Sequence, residues 1–432
     1  MQRKTRTISL AAATAAAVAV ALSGCGLGSG TGAEADVSGA VEGTITFQTM
    51  QLSPTFDEYI NAAIDQFESE NPGTTVKWTD IPSDQAARKV SADSAAGTLP
   101  DVMDLDAATL APLGRDSRVL DMSVQAADLQ DRYVASAWES FDYGATAVAA
   151  LPWYLNSPVL MSNSALVQQA GSPAAPTSYT ELLEVSKEIA EKTGKAGFQP
   201  TSIGFPNYLL SLGVPLVNDD STEAIVDTPE AEEFLQNLAD LYTDGGIPAD
   251  SVTAAQRTEI DTFSQGETAY LETGPSRLKI IQQNAPQVFD AITIDQPLGA
   301  QESTTWVVAH GLAVPQTSKN AATAVAFAEF LTSPENQLAL AEQSSVFPST
   351  AESLQDPFFS AEPTDAATQA RGIVAASLFD GGTMAKPPAV DAEYANTLWS
   401  SVQTAITGET PVKDALAAAQ TQLTELLQSR VQ

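Results

Sequence analysis

Hydrophobic and polar positions switch between two periods over residues 44–106. Thr44–Met50 (TITFQTM) alternates at period two and predicts a strand. Phe56, Tyr59, Ile60, Ala63, Ile64 and Phe67 then fall at helical spacing and predict one face of an amphipathic helix. Asn71-Pro72-Gly73 breaks that helix, because proline disfavours helical geometry in the residue before it. Thr75–Trp78 reads as a second strand, Ser83–Ala96 as a helix stopped by Gly97, and Pro100–Asp106 as a third strand. Strand and helix in alternation imply parallel strands with crossover helices. In open sheets of this kind ligands sit beyond the carboxyl ends of the strands. That rule points to Gln48, Gln51, Asp104 and Asp106.

Later helices announce their first turns. Ser178 with Glu181 fits a capping box ahead of ELLEVSKEIAEK. Thr228-Pro229-Glu230 and Ser333-Pro334-Glu335 each set a cap, a proline at the first helical position and an acid in the first turn. Near the end, Val412, Ala415, Leu416, Ala419, Leu423, Leu426 and Leu427 mark one helix face.

The start of the chain follows neither pattern. Arg3, Lys4 and Arg6 precede an apolar run, Ile8–Leu22, that is shorter than the ~20 residues a spanning helix needs. A basic start, a short apolar run and small residues after it describe an export signal over residues 1–24. Leu22-Ser23-Gly24-Cys25 resembles the bacterial lipobox, whose cysteine carries lipid and becomes the first mature residue. Cys25 is the sole cysteine, so no internal disulfide is expected and stability must come from apolar burial. Residues 25–43, rich in Gly, Ala and Ser, read as a flexible lipidated tether.

The body of some four hundred residues is too long for one ordinary core and suggests two lobes. It is strongly acidic, with 54 Asp and Glu against 20 Lys and Arg and a formal net charge of −34. Such a field repels nucleic acid and anionic lipid heads, but suits a neutral or a cationic solute.

Most catalytic chemistry lacks its residues. His310 is the only histidine, which removes any His-pair metal site, and it reads as a structural residue. A Cys–His nucleophile is removed because Cys25 lies in the leader; phosphate-cradling and nucleophile-elbow motifs are also missing. No cofactor and no metal are expected. Paired carboxylates remain: Asp104 and Asp106 share a strand face, and glycoside hydrolysis needs two carboxyls about 5–10 Å apart, which that spacing does not exclude. In a chain this acidic, one capping a helix and the other solvated is the plainer reading. Aromatics carry more. Trp153 and Tyr154 stand between Pro152 and Pro158, and Trp306 opens an apolar strand. Flat rings among a few polar groups are a common ligand-site pattern, though each of these also fits a core role. Trp78, Trp138 and Trp399 read as core.

The order of segments FESENPGTTVKW, AAGTLPDVMDLD, LPWYLNSPVLMSNSAL, FSQGETAYLETGPSR, GLAVPQTSKNAATAVAFAEFLTSPENQLALAEQ and GETPVKDALAAAQTQL resembles the extracellular solute-binding proteins of bacterial ABC importers, in the carbohydrate-binding class that includes maltose-binding protein. The resemblance implies an α/β periplasmic-binding-protein type II fold, with two lobes joined by hinge strands around a ligand cleft. Residues 44–150 and 305–348 would form the amino-terminal lobe, and 151–304 and 349–432 the carboxyl-terminal lobe. Crossings would fall near Ala149–Pro158, Thr304–Val308 and Val346–Thr350, with helix Asn320–Leu331 in the first lobe. It implies a mostly monomeric, non-enzymatic protein that hands a carbohydrate to permease subunits, tethered to the outer face of the cell membrane through Cys25. Carried over residue by residue, the site would draw on Gln48, Gln51, Asp104 or Asp106, Trp153 or Tyr154, Trp306 and, more weakly, Tyr208 and Glu272. Gly274-Pro275-Ser276-Arg277 stands where many relatives carry an aromatic, which removes one expected stacking surface. A secreted carboxylate glycosidase or lyase, and the same scaffold binding a polyamine, peptide or other non-sugar, are the alternatives.

Overall fold

The computed structural model describes residues 35, 37–144, 148–171, 174–252, 258–300, 303–381 and 383–430. The export segment and Cys25 lie outside the described residues. The strands are β1 (Gly43–Met50), β2 (Thr74–Ile81), β3 (Val102–Asp106), β4 (Leu151–Asn156), β5 (Val159–Asn163), β6 (Leu216–Val217), β7 (Ala224–Ile225), β8 (Tyr270–Thr273), β9 (Ile292–Asp295), β10 (Thr305–Ala313), β11 (Phe347–Pro348) and β12 (Thr383–Ala385).

The alternation over residues 44–106 builds the first of the three sheets found among the described residues. β1 pairs in parallel with β2 and β3, and the full order is β2-β1-β3-β10-β4-β11, with β12 on the start of β10. β10 runs antiparallel to both of its central neighbours. β2 is longer than its local pattern predicts because its register matches Thr74–Ile81 residue for residue to β1. β3 starts later, at Val102: the Asp101 carboxylate accepts from Thr46 N–H, Thr46 Oγ–H and Ser318 Oγ–H, so the residue serves as a staple.

Helix Asp57–Glu70 buries Tyr59, Ile60, Ala63, Ile64 and Phe67, the face the spacing predicts. Phe67 meets Phe327 of helix Ala321–Leu331 at 5.0 Å between ring centres, and Phe327 meets Phe47 of β1 at 5.2 Å. Helix Ser83–Ala96 stops where Gly97 takes φ +68°, a left-handed turn that glycine adopts without steric cost. Ala35, Val37 and Val41 pack against this core, and Glu42 exchanges backbone bonds with the Thr323 hydroxyl. Ala35 and the described residues 37–43 of the stretch expected to be a tether are therefore attached to the folded body.

β4 ends at Asn156 and β5 begins at Val159, so Ser157-Pro158 carries the chain from the large sheet into a second one. There β5 lies between β8 and β9, antiparallel to both. Successive side chains of β5 point to opposite faces. Val159 and Met161 join the core of the large sheet, which continues beneath β5, while Leu160 joins a separate core. That second core gathers Leu182, Tyr208, Phe234, Trp306 and Leu398. The carboxyl-terminal helix Val412–Ser429 adds Ala415, Leu416, Ala419, Leu423 and Leu427, on the predicted face. Among the described residues no helix is long and apolar enough to cross a membrane.

Candidate functional site

A cavity of about 420 Å³ opens where β4 hands the chain to β5. Asn156, Ser157 and Pro158 form one wall, and Trp306 and Val308 of β10 stand beside them. Helix Tyr179–Thr193 contributes Tyr179 and Leu182, placed at its first turns by the Ser178 cap. Leu160, parts of the segment 198–208, Glu259, β8 with its following Gly274, and Arg277 complete the lining. The rings of Tyr179 and Tyr208 lie 4.5 Å apart at 48°, and Phe198 meets the edge of Tyr208. Gly204 has to be small: a Cβ there would stand 2.9 Å from the Tyr208 hydroxyl and from Thr201 Oγ.

Polar groups in this wall are of two kinds. Glu272 is satisfied by the protein itself: it accepts from the Tyr179 hydroxyl and, at 2.8 Å, from Leu298 N–H. Burial pushes the Glu272 carboxyl up to about 7, against the lowering effect of those two donors. Burial, then the Glu272 charge, hold the Tyr179 hydroxyl well above its ordinary range. The second kind has no protein partner. Ser157 Oγ, Asn207 Oδ1 and Tyr270 Oη are buried without a hydrogen bond. Buried polar atoms are nearly always paired, so three such atoms on residues lining one cavity mark a place for a polar ligand. A larger hollow, about 640 Å³, lies among Leu354, Phe359, Ile373 and Phe379, and none of its lining residues holds such an atom.

Of the nominated residues, Trp306, Tyr208 and Glu272 come together at this cavity. Trp306 is 9 % exposed, with Lys386 Nζ 4.7 Å from its ring centre. Burial lowers the Lys386 pKa. The other six do not line it. Trp153 is fully buried between Phe47 and Tyr154, because β4 is interior to the large sheet. Tyr154 stacks on His310 at 4.4 Å and shares a 2.8 Å hydrogen bond with its Nδ1. Asp104 is sealed, its carboxylate 3.0 Å from His310 Nδ1 and accepting from Met50 N–H at 3.3 Å. It is thus not the solvated partner expected of the pair. Asp106 caps helix Ala107–Arg115 by accepting from Thr109 N–H and Oγ–H, and borders only a separate hollow of about 60 Å³ beside Lys386. Gln48 is buried in β1, and Gln51 is exposed, accepting from Ser83 Oγ–H at 2.6 Å. His310, read as structural, is satisfied by Asp104 and Tyr154. Among the described residues no group of three or more His, Cys, Asp or Glu is arranged to hold a metal ion.

Sequence reasoning missed Asn156, Ser157, Tyr179, Asn207, Tyr270 and Arg277. The Asn-Ser-Pro break between two apolar strands is the one signal that marks the first two; the others sit in helices and strands whose patterns are ordinary.

Comparison with known proteins adds a family. The model of the family described as bacterial extracellular solute-binding protein matches residues 52–338. A candidate oligosaccharide periplasmic-binding protein from Synechococcus sp. MITs9220 superposes with a TM-score of 0.81 at 29% identity, covering 89% of this chain and 99% of that one. A candidate ABC transporter-binding protein of Deinococcus radiodurans is 24% identical, over 75% of this chain and 82% of its own. An uncharacterised lipoprotein of Streptomyces antibioticus is 24% identical, over 73% of this chain and 72% of its own.

Proposed function

The chain belongs to the bacterial extracellular solute-binding proteins, a family of binding proteins and not of enzymes, and on that premise we propose that it is a lipid-anchored receptor that captures a sugar or oligosaccharide and delivers it intact to an ABC importer. One observation carries the sugar reading: a cavity walled by Trp306, Tyr208 and Tyr179 in which three buried polar atoms lack partners. Aromatic faces cover the apolar faces of a pyranose, and the unpaired atoms meet its hydroxyls. The Synechococcus protein's description as oligosaccharide-binding favours the same class.

Two lobes, residues 44–150 with 305–348 and residues 151–304 with 349–432, close on the solute about the β4–β5 crossing and the start of β10. The lipid on Cys25 holds the receptor at the outer face of the membrane and raises its effective concentration near the permease. The name of the Streptomyces relative supports the anchor. In cells fed labelled palmitate, the native chain takes up label and Cys25→Ser does not; label on the variant refutes the anchor.

The acidic net charge and the carboxylates Glu259 and Glu272 in the cavity wall favour a cationic solute as the second reading. Isothermal titration of the chain against maltotriose, cellobiose and raffinose, and separately against spermidine and putrescine, separates the two. Heat from a neutral sugar alone is the expected result; heat from the amines alone overturns the sugar reading.

A further inference from the structure

We infer that Asn207 sets the hydrogen-bond polarity of the solute, presenting an acceptor whose direction is fixed by a donor chain through Tyr179 to Glu272. The inference rests on the reading of this cavity as the solute site and adds what the solute must offer there. Asn207 is 5 % exposed and its Nδ2 donates to Tyr179 Oη at 2.7 Å. Tyr179 in turn donates its one hydroxyl proton to the Glu272 carboxylate, and Leu298 N–H donates to the other Glu272 oxygen.

Each link dictates the next. An ionised carboxylate only accepts, so Tyr179 must donate to it. With its proton committed, the Tyr179 oxygen can only accept, so Asn207 must turn its NH₂ end toward it. Which end of an amide is oxygen is settled by its network, and with Glu272 ionised this network allows one answer. The amide oxygen is left buried and unpartnered on a residue of the cavity wall. Ser157 and Tyr270 carry hydroxyls, which donate or accept as the solute requires and so select nothing. An amide oxygen accepts only. The solute therefore needs a donor at this point, which a sugar hydroxyl supplies and an ether oxygen or deoxy carbon does not. Sites built on a hydrogen bond reject analogues that lack its partner, because the buried group is then left unpaired.

Glu272 sets the direction of the chain. Once protonated it donates to Tyr179, the Tyr179 proton turns toward Asn207, and the amide reverses to show the cavity its NH₂ end. The ionisable groups around Glu272 are Tyr179 and Tyr208 from their helices, Tyr270 on its own strand, and Glu259 and Arg277 across the cavity. Burial holds the carboxyl at about 7, so both directions are populated near neutral pH.

Two readouts on the full chain test this. The first needs no solute: carboxyl-labelled glutamate is followed by ¹³C NMR, with the Glu272 signal assigned through Glu272→Gln. It should titrate near neutral pH and shift its midpoint upward in Tyr179→Phe. A midpoint that Tyr179→Phe leaves in place overturns the inference whatever binds; a signal that titrates in the usual carboxylate range keeps the Asn207 acceptor and overturns its reversal near neutral pH. The second is titration at pH 8.5 and 5.5 with maltotriose and with its mono-O-methyl ethers, each of which turns one hydroxyl into an acceptor only. Maltotriose should bind at both, since a hydroxyl meets either end of the amide, whereas the ether at the hydroxyl facing Asn207 should bind about tenfold more weakly at pH 8.5 than at 5.5. Tyr179→Phe should lose that pH difference, which a merely structural role would not produce. Asn207→Leu should lose about a hundredfold; if circular dichroism finds it unfolded, Asn207→Ala and the Tyr179→Phe pH profile carry the test. Equal affinity of wild type and Asn207→Leu overturns the inference and leaves the sugar reading standing. No maltotriose, cellobiose or raffinose binding, with the Glu272 signal behaving as described, overturns the sugar reading and leaves Asn207 as the acceptor for another donor-bearing solute.

Discussion

Two tryptophans that look alike in sequence have opposite roles. Trp153 has no exposure and touches Phe47 and Tyr154, whereas Trp306 borders the cavity. Trp153→Ala should lower stability by about 3–5 kcal/mol, the cost of emptying a large aromatic site in a core, with little direct effect on solute contacts. Trp306→Ala should instead weaken sugar binding by about 1–3 kcal/mol, the scale of one aromatic face buried. Chemical denaturation and isothermal titration of both variants check the pair; an affinity loss from Trp153→Ala without a stability loss reverses the assignment. Neither role was legible from the flanking residues, since proline-bounded aromatics suit a rim as well as a core. Depth in the sheet decides, and it depends on β10 and β11 closing over β4 from residues more than 150 positions away. Asn207 is hidden for the same reason. GFPNYLLS reads as a plain helix start, and the partners that give its amide a direction lie at Tyr179 and Glu272.

Local elements were far more legible than contacts, because caps and periodicity act within a few residues. Thr228 and Ser333 cap their helices by accepting from Ala231 N–H and Asn336 N–H, as their sequence predicts. Ser178 accepts from Glu181 N–H, while the Glu181 carboxylate reaches back to Thr177 N–H and Oγ–H, one residue earlier than the box predicts. The strand that ends in two acids was legible as a strand, but its acids were nominated for a ligand. Asp106 is the cap of the next helix, and Asp106→Ala should cost about 1 kcal/mol of stability. Thermal unfolding measures it; an unchanged midpoint denies the cap its role. The three-stranded sheet left little trace, since β8 and β9 are each four residues long and find their partner only through β5.

At the scale of the whole molecule, two buried groups make stability fall as pH rises. Burial lowers the His310 pKa, but the charge and hydrogen bond of Asp104, with Asp106 adding to them, outweigh it and hold the group above its ordinary value. Its contribution is complete below the unfolded histidine pKa of about 6.5 and is lost as pH rises through the folded value. Glu272 acts in the same sense: the folded chain holds its proton up to about 7, so ionisation costs stability between the unfolded carboxyl range and that value. Urea unfolding across pH 4.5–8 should show a declining limb that Glu272→Gln flattens below pH 7, and an unchanged limb in that variant contradicts the assignment. The overall architecture was legible early, because the parallel alternation over residues 44–106 and the ordered series of segments to residue 425 are spread along the whole chain. What the solute meets was not, because the cavity draws single residues from many distant elements.

The crystal structure of the chain grown with an oligosaccharide that binds it in solution tests the central claim most directly. The account expects an uncleaved sugar in the cavity at the β4–β5 crossing, one ring against Trp306 and a hydroxyl donating to Asn207 Oδ1. A sugar seated elsewhere, or product fragments in its place, would contradict it.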